Sequence, residues 1–295
     1  MKKSKISVVI NTYNEEKNLA RCLESIKDFC DEVVVVDMYS TDNTVEIARK
    51  YGAKIYNHEH TGFVEPARNF ALRQAQGDWI LLIDADEEAP KLLLSELESI
   101  AKENEIDYVN LPRKNIIFGK WIKHSRWWPD YNVRFFKKGK VEWNDKIHSI
   151  PITYGKGREI PAEEKFAIIH HNFQTISQYL ERSNRYSSIM AEELVKEGYH
   201  FSSQDLIKKP FAEFLSRYYA GRGYLDGLHG LVLAILQAIT EFLVYLKVWE
   251  KEKFTDQQTD FFAKTSTQSI KDFFHWQATI SRGWTKLYLK IKSKI

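Results

Sequence analysis

Four carboxylate side chains follow directly after one apolar run of the sequence. The run covers residues 79–83, and the acids are Asp84, Asp86, Glu87 and Glu88. Five consecutive apolar residues predict a strand that is buried on both faces. Carboxylates at the end of such a strand can bind a hard divalent cation, which in turn can bind a diphosphate. The alternative interpretation is a strand that runs into an exposed acidic turn.

Two earlier strands also end in polar residues. The runs 6–10 and 33–36 are rich in β-branched residues, and they end close to Thr12 and Asp37. Segments with helical spacing separate the runs, and this alternation predicts a doubly wound α/β fold. Because ligands bind beyond the carboxyl ends of the strands in such a sheet, we expect these residues to line one crevice together with the acidic stretch.

Composition and missing motifs exclude several classes of function. The turn after the first strand contains no glycine, which disfavours a Rossmann dinucleotide site, and the sequence has no Walker-type phosphate loop. A net charge of +3 over 295 residues gives no argument for a nucleic-acid partner. Cys22 and Cys30 fit neither a disulfide framework nor a zinc site, so we expect a reducing cytosol. The short apolar run near the N-terminus does not read as a signal peptide.

Four ordered motifs of the first 90 residues resemble a known family. They are Ser-Val-Val-Ile-Asn-Thr-Tyr-Asn-Glu-Glu from residue 7, Val-Val-Val-Asp-x-x-Ser-Thr-Asp-x-Thr from residue 34, Ala-Arg-Asn at 67–69, and Gly-Asp-Trp-Ile-Leu-Leu-Ile-Asp-Ala-Asp-Glu from residue 77. Together they are similar to the family-2 glycosyltransferases, which have the GT-A fold. Within this family, the chain looks most like the bacterial lipopolysaccharide-core enzymes that add glucose to heptose.

The resemblance implies an activity. The expected enzyme is an inverting, metal-dependent glycosyltransferase that moves glucose from UDP to a hydroxyl of a lipopolysaccharide core or another glycolipid. Two alternatives stay open, because the acceptor side is the least readable part of the sequence. One is a transferase that acts on protein. The other is a non-catalytic nucleotide-sugar-binding module, since Ser149 stands where this branch of the family usually has an acidic residue.

The resemblance also implies roles for single residues. The nucleotide-sugar donor would contact Thr12, Tyr13, Glu15, Asp37, Arg68, Asp84, Ala85 and Arg134. Asp86 and His148 would bind Mg²⁺ or Mn²⁺. A sugar hydroxyl is a poor nucleophile at neutral pH, so a base must accept its proton. Asp145 is the first candidate for this base, and Asp130 is the second. His170 is a further candidate for contact with the diphosphate.

The C-terminal part of the chain reads as helical. We therefore predict a GT-A catalytic domain over residues 1–172 and a helical region over residues 173–295. Residues 228–249 are rich in apolar side chains but contain polar interruptions. They fit a helix lying on a membrane surface, a buried helix of a bundle or homo-oligomer, or a membrane span. Residues 254–268 are rich in Thr, Gln and Asp and predict a linker or loop.

The charge of the C-terminal tail favours a membrane surface. The tail from Arg282 onwards carries five Lys or Arg residues and no acidic residue. Basic segments of this kind are attracted to anionic lipid. We therefore expect a cytoplasmic protein that associates peripherally with the inner membrane, where its glycolipid acceptor would lie.

Overall fold

The computed structural model of the protein describes residues 4–59, 65–143 and 150–294. The chain divides into two compact units. The first unit contains Met1–Ile116 and Pro129–Asn172, and the second contains Ile117–Trp128 and Phe173–Ile295.

The secondary structure alternates at first and becomes helical later. The strands are β1 (Ile6–Thr12), β2 (Glu32–Asp37), β3 (Lys54–Asn57), β4 (Trp79–Leu82), β5 (Glu87–Glu88), β6 (Tyr108–Leu111), β7 (Arg113–Ile117), β8 (Lys120–Trp121), β9 (Asn132–Lys137), β10 (Val141–Glu142), β11 (Ile152–Thr153), β12 (Gly157–Glu159) and β13 (Ile168–Phe173). The helices are α1 (Leu19–Ile26), α2 (Thr44–Lys50), α3 (Glu65–Gln74), α4 (Lys91–Glu103), α5 (Ile176–Lys196), α6 (Asp205–Leu215), α7 (Leu228–Lys251), α8 (Phe262–Ile280) and α9 (Gly283–Lys292).

A mixed sheet forms the centre of the first unit. Among the described residues its strand order is β12-β6-β9-β4-β1-β2-β3. The strands β4, β1, β2 and β3 run parallel, whereas β9 is antiparallel to both β4 and β6. The carboxyl ends of β1, β2 and β4 therefore meet at one edge, and the amino-terminal residues of β9 lie at the same edge. This edge is called the carboxyl edge below.

Strand β4 is buried on both faces, as its apolar sequence predicts. All four of its residues are buried. Ile10 and Leu81 contribute to a core that includes α1 and α4, while Val9 and Leu82 contribute to a second core with α3. Alternate side chains of a strand point to opposite faces, so each strand serves both cores. The fold class predicted from the sequence, an α/β domain followed by helices, is confirmed.

Gly77 lets the turn before β4 approach β1 closely. A Cβ atom at this position would lie 2.7 Å from the backbone nitrogen of Ser7 and 2.6 Å from its Oγ. Real Cβ atoms do not approach backbone atoms so closely, so a larger residue would push the two strands apart. The Gly-Asp pair of the fourth motif therefore sets the start of β4, and through it the position of the acidic residues at its end.

The second unit is built around α7. This helix packs against α5 and α6, and Leu233 and Leu236 lie in a core with Ile122, Phe173 and Tyr179. Within the described residues, α7 is the one helix that is long and apolar enough to cross a membrane by length and composition, with a mean hydropathy of 1.9. One third of its most apolar 18-residue stretch is buried inside the protein. Core helices of soluble proteins can have the same length and composition, so a membrane-surface helix, a buried helix and a membrane span all stay open.

The prediction of a loop over residues 254–268 is wrong in its second half. Helix α8 begins at Phe262, and its buried positions include Thr265, Ser269 and Ala278. These residues are small and mostly polar, so their spacing produces no apolar stripe. A helix that packs through small side chains gives a weaker periodic signal than one that packs through Leu or Ile.

Candidate active site

Asp37 and Thr12 lie side by side at the carboxyl edge. They are paired in the register of β1 and β2, and the Thr12 hydroxyl donates a hydrogen bond of 2.9 Å to the Asp37 carboxylate. Ser40 donates two more bonds to this carboxylate, from its backbone N–H at 2.8 Å and its hydroxyl at 2.6 Å. Asp37 and Ser40 also line an open cavity of about 570 Å³, together with Arg49 and Asn57. The Asp37 carboxylate is thus held by three donors beside a space where a ligand can bind.

The polar turn after β1 joins the turn after β2. Asn14 has a positive φ of 56°, and its side-chain oxygen accepts a hydrogen bond of 2.8 Å from the backbone N–H of Thr41. The Glu15 carboxylate accepts a bond of 2.8 Å from Asn18, the residue before α1. Tyr13 is 39% exposed, so its ring is available to a ligand at this edge. The first motif therefore fixes two loops against each other and presents Tyr13 to solvent.

Asp84 is held by two guanidinium groups. Arg134 donates to both carboxylate oxygens, at 3.3 Å and 2.5 Å, and Arg68 donates at 3.1 Å. Burial alone would raise the pKa of Asp84, but the positive charges of Arg134 and Arg68 outweigh burial and hold this pKa well below its ordinary value. Asp84 is therefore ionised at neutral pH. The side chain of Arg134 is only 2% exposed, so it would act on a ligand through Asp84 and not by direct contact.

Glu87 is the residue that the sequence interpretation missed. The sequence singles it out only as one of the four acids after the apolar run, but its side chain is fully buried. It accepts hydrogen bonds from Arg113 at 3.2 Å and from Arg134 at 3.1 Å, and its second oxygen accepts one from the backbone N–H of Asp84 at 2.9 Å. A charged residue is almost never fully buried unless it is paired. Glu87 thus holds the acidic turn in place through the backbone of Asp84 and through two arginines.

A chain of polar side chains links Asp130 to Asp86. The Asp130 carboxylate accepts from Arg113 at 2.8 Å and from the side-chain amide of Asn115 at 2.9 Å. The Asn115 side-chain oxygen lies 2.7 Å from Nδ1 of His170, and Nε2 of His170 lies 3.4 Å from the Asp86 carboxylate. Burial would raise the pKa of Asp130, but Arg113 and the bond from Asn115 outweigh it and lower this pKa. A carboxylate with a low proton affinity is a weak general base, which disfavours Asp130 in that role.

This chain fixes the proton of His170. Ionised Asp130 can only accept, so the amide nitrogen of Asn115 faces it and the Asn115 oxygen faces His170. That oxygen can only accept, so Nδ1 of His170 carries a proton. Nε2, the nitrogen that faces Asp86, is then the atom with a free lone pair in the neutral ring. Histidines that bind metals are commonly oriented in this way by a bond to the other ring nitrogen.

Replacement of Asn115 with alanine is expected to release this tautomer. In the metal-free protein at a pH where His170 is neutral, ¹⁵N NMR should find the proton on Nδ1 in the wild type and a mixture of tautomers in the variant. The His170→Gln protein identifies the signal. Asn132→Ala is the matched control, because Asn132 donates to the other oxygen of Asp130 at 3.3 Å. An unchanged tautomer in Asn115→Ala contradicts the hydrogen-bond chain, because Asn115 would then not direct the proton.

The donor set near Asp86 fits a divalent cation bound jointly with a ligand. Within residues 4–59, 65–143 and 150–294, no group of three His, Cys, Asp or Glu side chains forms a metal site. Asp86 and Nε2 of His170 form a pair of oxygen and nitrogen donors, while both oxygens of Asp84 are engaged by arginine. Magnesium is usually bound by one or two carboxylates together with substrate phosphates. Asp86 with a diphosphate therefore fits this mode of binding.

Two of the predicted site residues lie outside the described residues. They are Asp145 and His148, in the segment 144–149. The residue before this segment, Trp143, is held by Asn69, which bonds to its backbone at 2.6 Å and 2.9 Å. The Arg68 guanidinium lies 5.5 Å from the centre of the Trp143 ring. The Ala-Arg-Asn motif of α3 thus anchors the chain directly before the segment, and it also contacts Asp84.

Asn11 is a further polar residue that sequence reasoning did not select. It lies at the end of β1 and is 6% exposed. Among the described residues, neither its side-chain oxygen nor its side-chain nitrogen has a hydrogen-bond partner. Nearly all buried polar groups in folded proteins are hydrogen-bonded, and an unsatisfied one costs about 1–3 kcal/mol. Such an amide is a candidate contact for a polar ligand at the carboxyl edge.

Comparison with known proteins places this site in a family. The model of the family described as glycosyl transferase family 2 matches residues 7–159, just over half of the chain. The chain belongs to glycosyltransferase family 2. The match includes the ends of β1, β2, β4 and β9 that form the carboxyl edge, and it stops before β13, which carries His170. The sequence-based recognition of a family-2 glycosyltransferase and of an enzyme is therefore confirmed.

Relatives of this family-2 glycosyltransferase match it over most of its length. An uncharacterised glycosyltransferase of Rickettsia typhi is 34% identical over 257 residues, covering 83% of this chain and 87% of its own. The lipopolysaccharide core biosynthesis glycosyltransferase LpsC of Rhizobium meliloti is 27% identical and covers 83% of this chain and 92% of its own. The crystal structure of Staphylococcus aureus TarS 1-349 aligns with a TM-score of 0.46 at 18% identity, covering 87% of this chain and 94% of that one.

Proposed function

We propose that this glycosyltransferase moves glucose from UDP to a hydroxyl of a lipopolysaccharide-core or related glycolipid, with inversion at the sugar. The observation that carries the proposal is the meeting of the Thr12–Asp37 pair, the Arg68–Asp84 pair and Asp86 at one edge of the sheet in a family-2 enzyme. The core-biosynthesis name of the Rhizobium relative supports the choice of acceptor.

The donor would occupy the carboxyl edge from the cavity at Asp37 to the acidic turn. The uridine would lie at the cavity, where the Asp37 carboxylate and Asn57 offer hydrogen-bonding groups and Tyr13 offers an exposed ring. The diphosphate would lie towards Arg68 and Asp86. Glu15 and Ala85 would shape this site through the turns that contain them, since Ala85 is buried and Glu15 bonds to Asn18.

Different residues of this chain would have different roles in an in-line displacement at the donor sugar. Asp84, held ionised by Arg68 and Arg134, would orient the ribose and keep the acidic turn in place. Mg²⁺ or Mn²⁺, held by Asp86 with His148 or His170, would neutralise charge on the departing diphosphate. Asp145 would accept the proton of the attacking hydroxyl, a contribution of about 10²–10⁴ in rate.

The acceptor would be reached at the cytoplasmic face of the inner membrane. In this proposal, residues 1–172 form the GT-A catalytic domain, and residues 173–295 form a helical region that contacts the membrane or a second copy of the chain. The basic tail after Arg282 supports an anionic partner surface.

A donor and acceptor panel tests the proposal. The full-length protein is incubated with radiolabelled UDP-glucose, UDP-N-acetylglucosamine, GDP-mannose or dTDP-glucose, with and without Mn²⁺, in the presence of separated glycolipid and protein fractions. The expected result is label in the glycolipid fraction with UDP-glucose. Label only in protein would assign a protein acceptor, and donor binding without transfer to any fraction would indicate a binding module.

The donor site has its own variant in this panel. Asp37→Asn is expected to weaken UDP binding about tenfold or more, because a hydrogen bond to a charged group contributes about 1.5–3 kcal/mol. Asp28→Asn is the matched control, since Asp28 is exposed just after α1. Equal UDP affinity in Asp37→Asn and wild type, measured by calorimetry, would remove Asp37 from the donor site.

A further inference from the structure

Helix α9 presents an apolar stripe to solvent. The stripe consists of Trp284, Leu287, Tyr288 and Ile291, which are 86%, 50%, 57% and 51% exposed. Their spacing of three, four and seven residues places them on one face of the helix. Leu289 is the buried residue of this helix, and it points away from the stripe. The helix thus turns most of its apolar residues outwards, which is the reverse of what burial in a soluble protein requires.

Basic residues flank this stripe on both sides. At 100° per residue, Lys290 lies along one edge of the stripe and Lys292 along the other. Lys292 remains close to the stripe, with its Nζ 5.7 Å from the centre of the Tyr288 ring. The sequence from Arg282 to Ile295 contains no Asp or Glu. A long lysine side chain can lay its methylene groups along an apolar surface while its charge stays in water.

We propose that α9 is a membrane-binding helix that lies on an anionic lipid surface with its stripe inserted between the headgroups. Interfacial helices have this composition, with Trp and aliphatic residues on one face and Lys on the polar side. The charge complementarity commits the stripe to anionic lipid. A second copy of the chain would bring the same lysines against each other, and like charges oppose that contact. The proposal rests on the membrane location of the acceptor and names the element that reaches the membrane.

The basic residues of α7 are arranged differently. Although α7 has exposed apolar residues such as Leu228 and Ile235, Lys247 is turned inwards, where its Nζ bonds to Asn184 and to Ser187 at 2.7 Å and 2.8 Å. Lys251 is paired with Glu192 at 3.1 Å. These cations are bound to side chains of the same unit, whereas those of α9 border the exposed stripe. The charge pattern therefore assigns the lipid contact to α9.

Vesicle sedimentation tests this assignment with the full-length protein. Vesicles of phosphatidylcholine with about 30% phosphatidylglycerol are compared with vesicles of pure phosphatidylcholine at low salt. The phosphatidylglycerol, about one lipid in three, supplies a negative surface potential. Binding to the anionic vesicles alone is the expected wild-type result. The stripe variant Trp284→Ser/Ile291→Ser is expected to bind at least about tenfold more weakly. The charge variant Lys290→Gln/Lys292→Gln should bind more weakly and depend less on salt.

Matched variants separate α9 from the rest of the surface. Leu228→Ser/Ile235→Ser removes two exposed apolar residues of α7 and is expected to bind as the wild type does. Equal binding of the stripe variant and the wild type, or loss of binding in the α7 variant, overturns the proposal. Sedimentation velocity without lipid tests whether the stripe instead binds a second copy of the chain. If the wild type forms dimers and the stripe variant does not, the proposal is also overturned.

Vesicle binding by α9 can be tested separately from the proposed sugar transfer. The stripe variant is expected to transfer sugar to a detergent-dispersed acceptor as the wild type does, and to lose transfer to the same acceptor in vesicles. Absence of glycolipid transfer in every format would refute the proposed acceptor while vesicle binding still reports on α9. If the stripe variant transfers sugar to the acceptor in vesicles as well as the wild type does, α9 has no role in reaching the membrane, and the proposed function stays in place.

Discussion

Changing Asp86 to asparagine is expected to lower kcat for sugar transfer by about 10³-fold while the protein stays folded. The magnitude follows from the loss of the charge that holds a cation against the leaving diphosphate, which is worth several kcal/mol in the transition state. The Asp86 backbone carbonyl accepts a hydrogen bond of 2.9 Å from His171, and asparagine keeps that bond. The change therefore removes one negative charge from the acidic turn and keeps the backbone bond to His171.

Three measurements check this expectation. Transfer is followed against Mn²⁺ concentration, Mn²⁺ binding in the presence of UDP is measured by calorimetry, and stability is measured by urea unfolding. Glu88→Gln is the matched control two residues further along, because the Glu88 carboxylate pairs with Arg21 at 3.0 Å and with Nε2 of His171 at 2.5 Å. Equal losses in both variants would indicate a general effect of charge on the turn, and full activity of Asp86→Asn would exclude the metal role of Asp86.

The sequence predicts the residues that follow parallel strands, because their positions depend on local signals. Thr12 and Asp37 each end a β-branched run, and parallel pairing brings such ends together in any doubly wound sheet. The partners of Glu87 depend on other information. Arg134 reaches it from β9 of the seven-stranded sheet, and Arg113 reaches it from β7, which is in the same four-stranded sheet as β5, the strand of Glu87, but is not its direct neighbour. Strands so distant in sequence leave no local pattern, so the sequence does not predict the partners of Glu87.

The same limit applies to the role of Asp130. The family resemblance made it the second candidate for the base. Only the three-dimensional contacts reveal that Arg113 and Asn115 hold its carboxylate. An acid in a sequence can be a base, a metal ligand or the partner of a buried cation, and the difference lies in which side chains surround it.

Changing Arg134 to methionine is expected to lower the free energy of unfolding by about 3–5 kcal/mol. Arg134 is 2% exposed and bonds to Asp84 and to the fully buried Glu87. Methionine fills a similar volume, but it leaves two carboxylates short of a partner in a region from which water is largely excluded. Removal of one member of a buried ion pair costs this much because the remaining charge is uncompensated. Urea unfolding at pH 7, followed by circular dichroism, measures the difference.

An exposed pair and the pH dependence distinguish this mechanism from a general loss of packing. Arg158→Met is the matched control: Arg158 is 43% exposed and pairs with Glu96 at 2.9 Å, and an exposed pair contributes less than about 1 kcal/mol. Because arginine holds the pKa of Asp84 below its ordinary value, ionised Asp84 stabilises the fold above about pH 4, and this contribution is lost as the pH falls further. The Arg134→Met protein lacks part of this stabilisation already at neutral pH, because one of the two arginines that pair with Asp84 is gone. The gap in stability between wild type and variant should therefore narrow below about pH 4, whereas a packing defect would keep the gap constant.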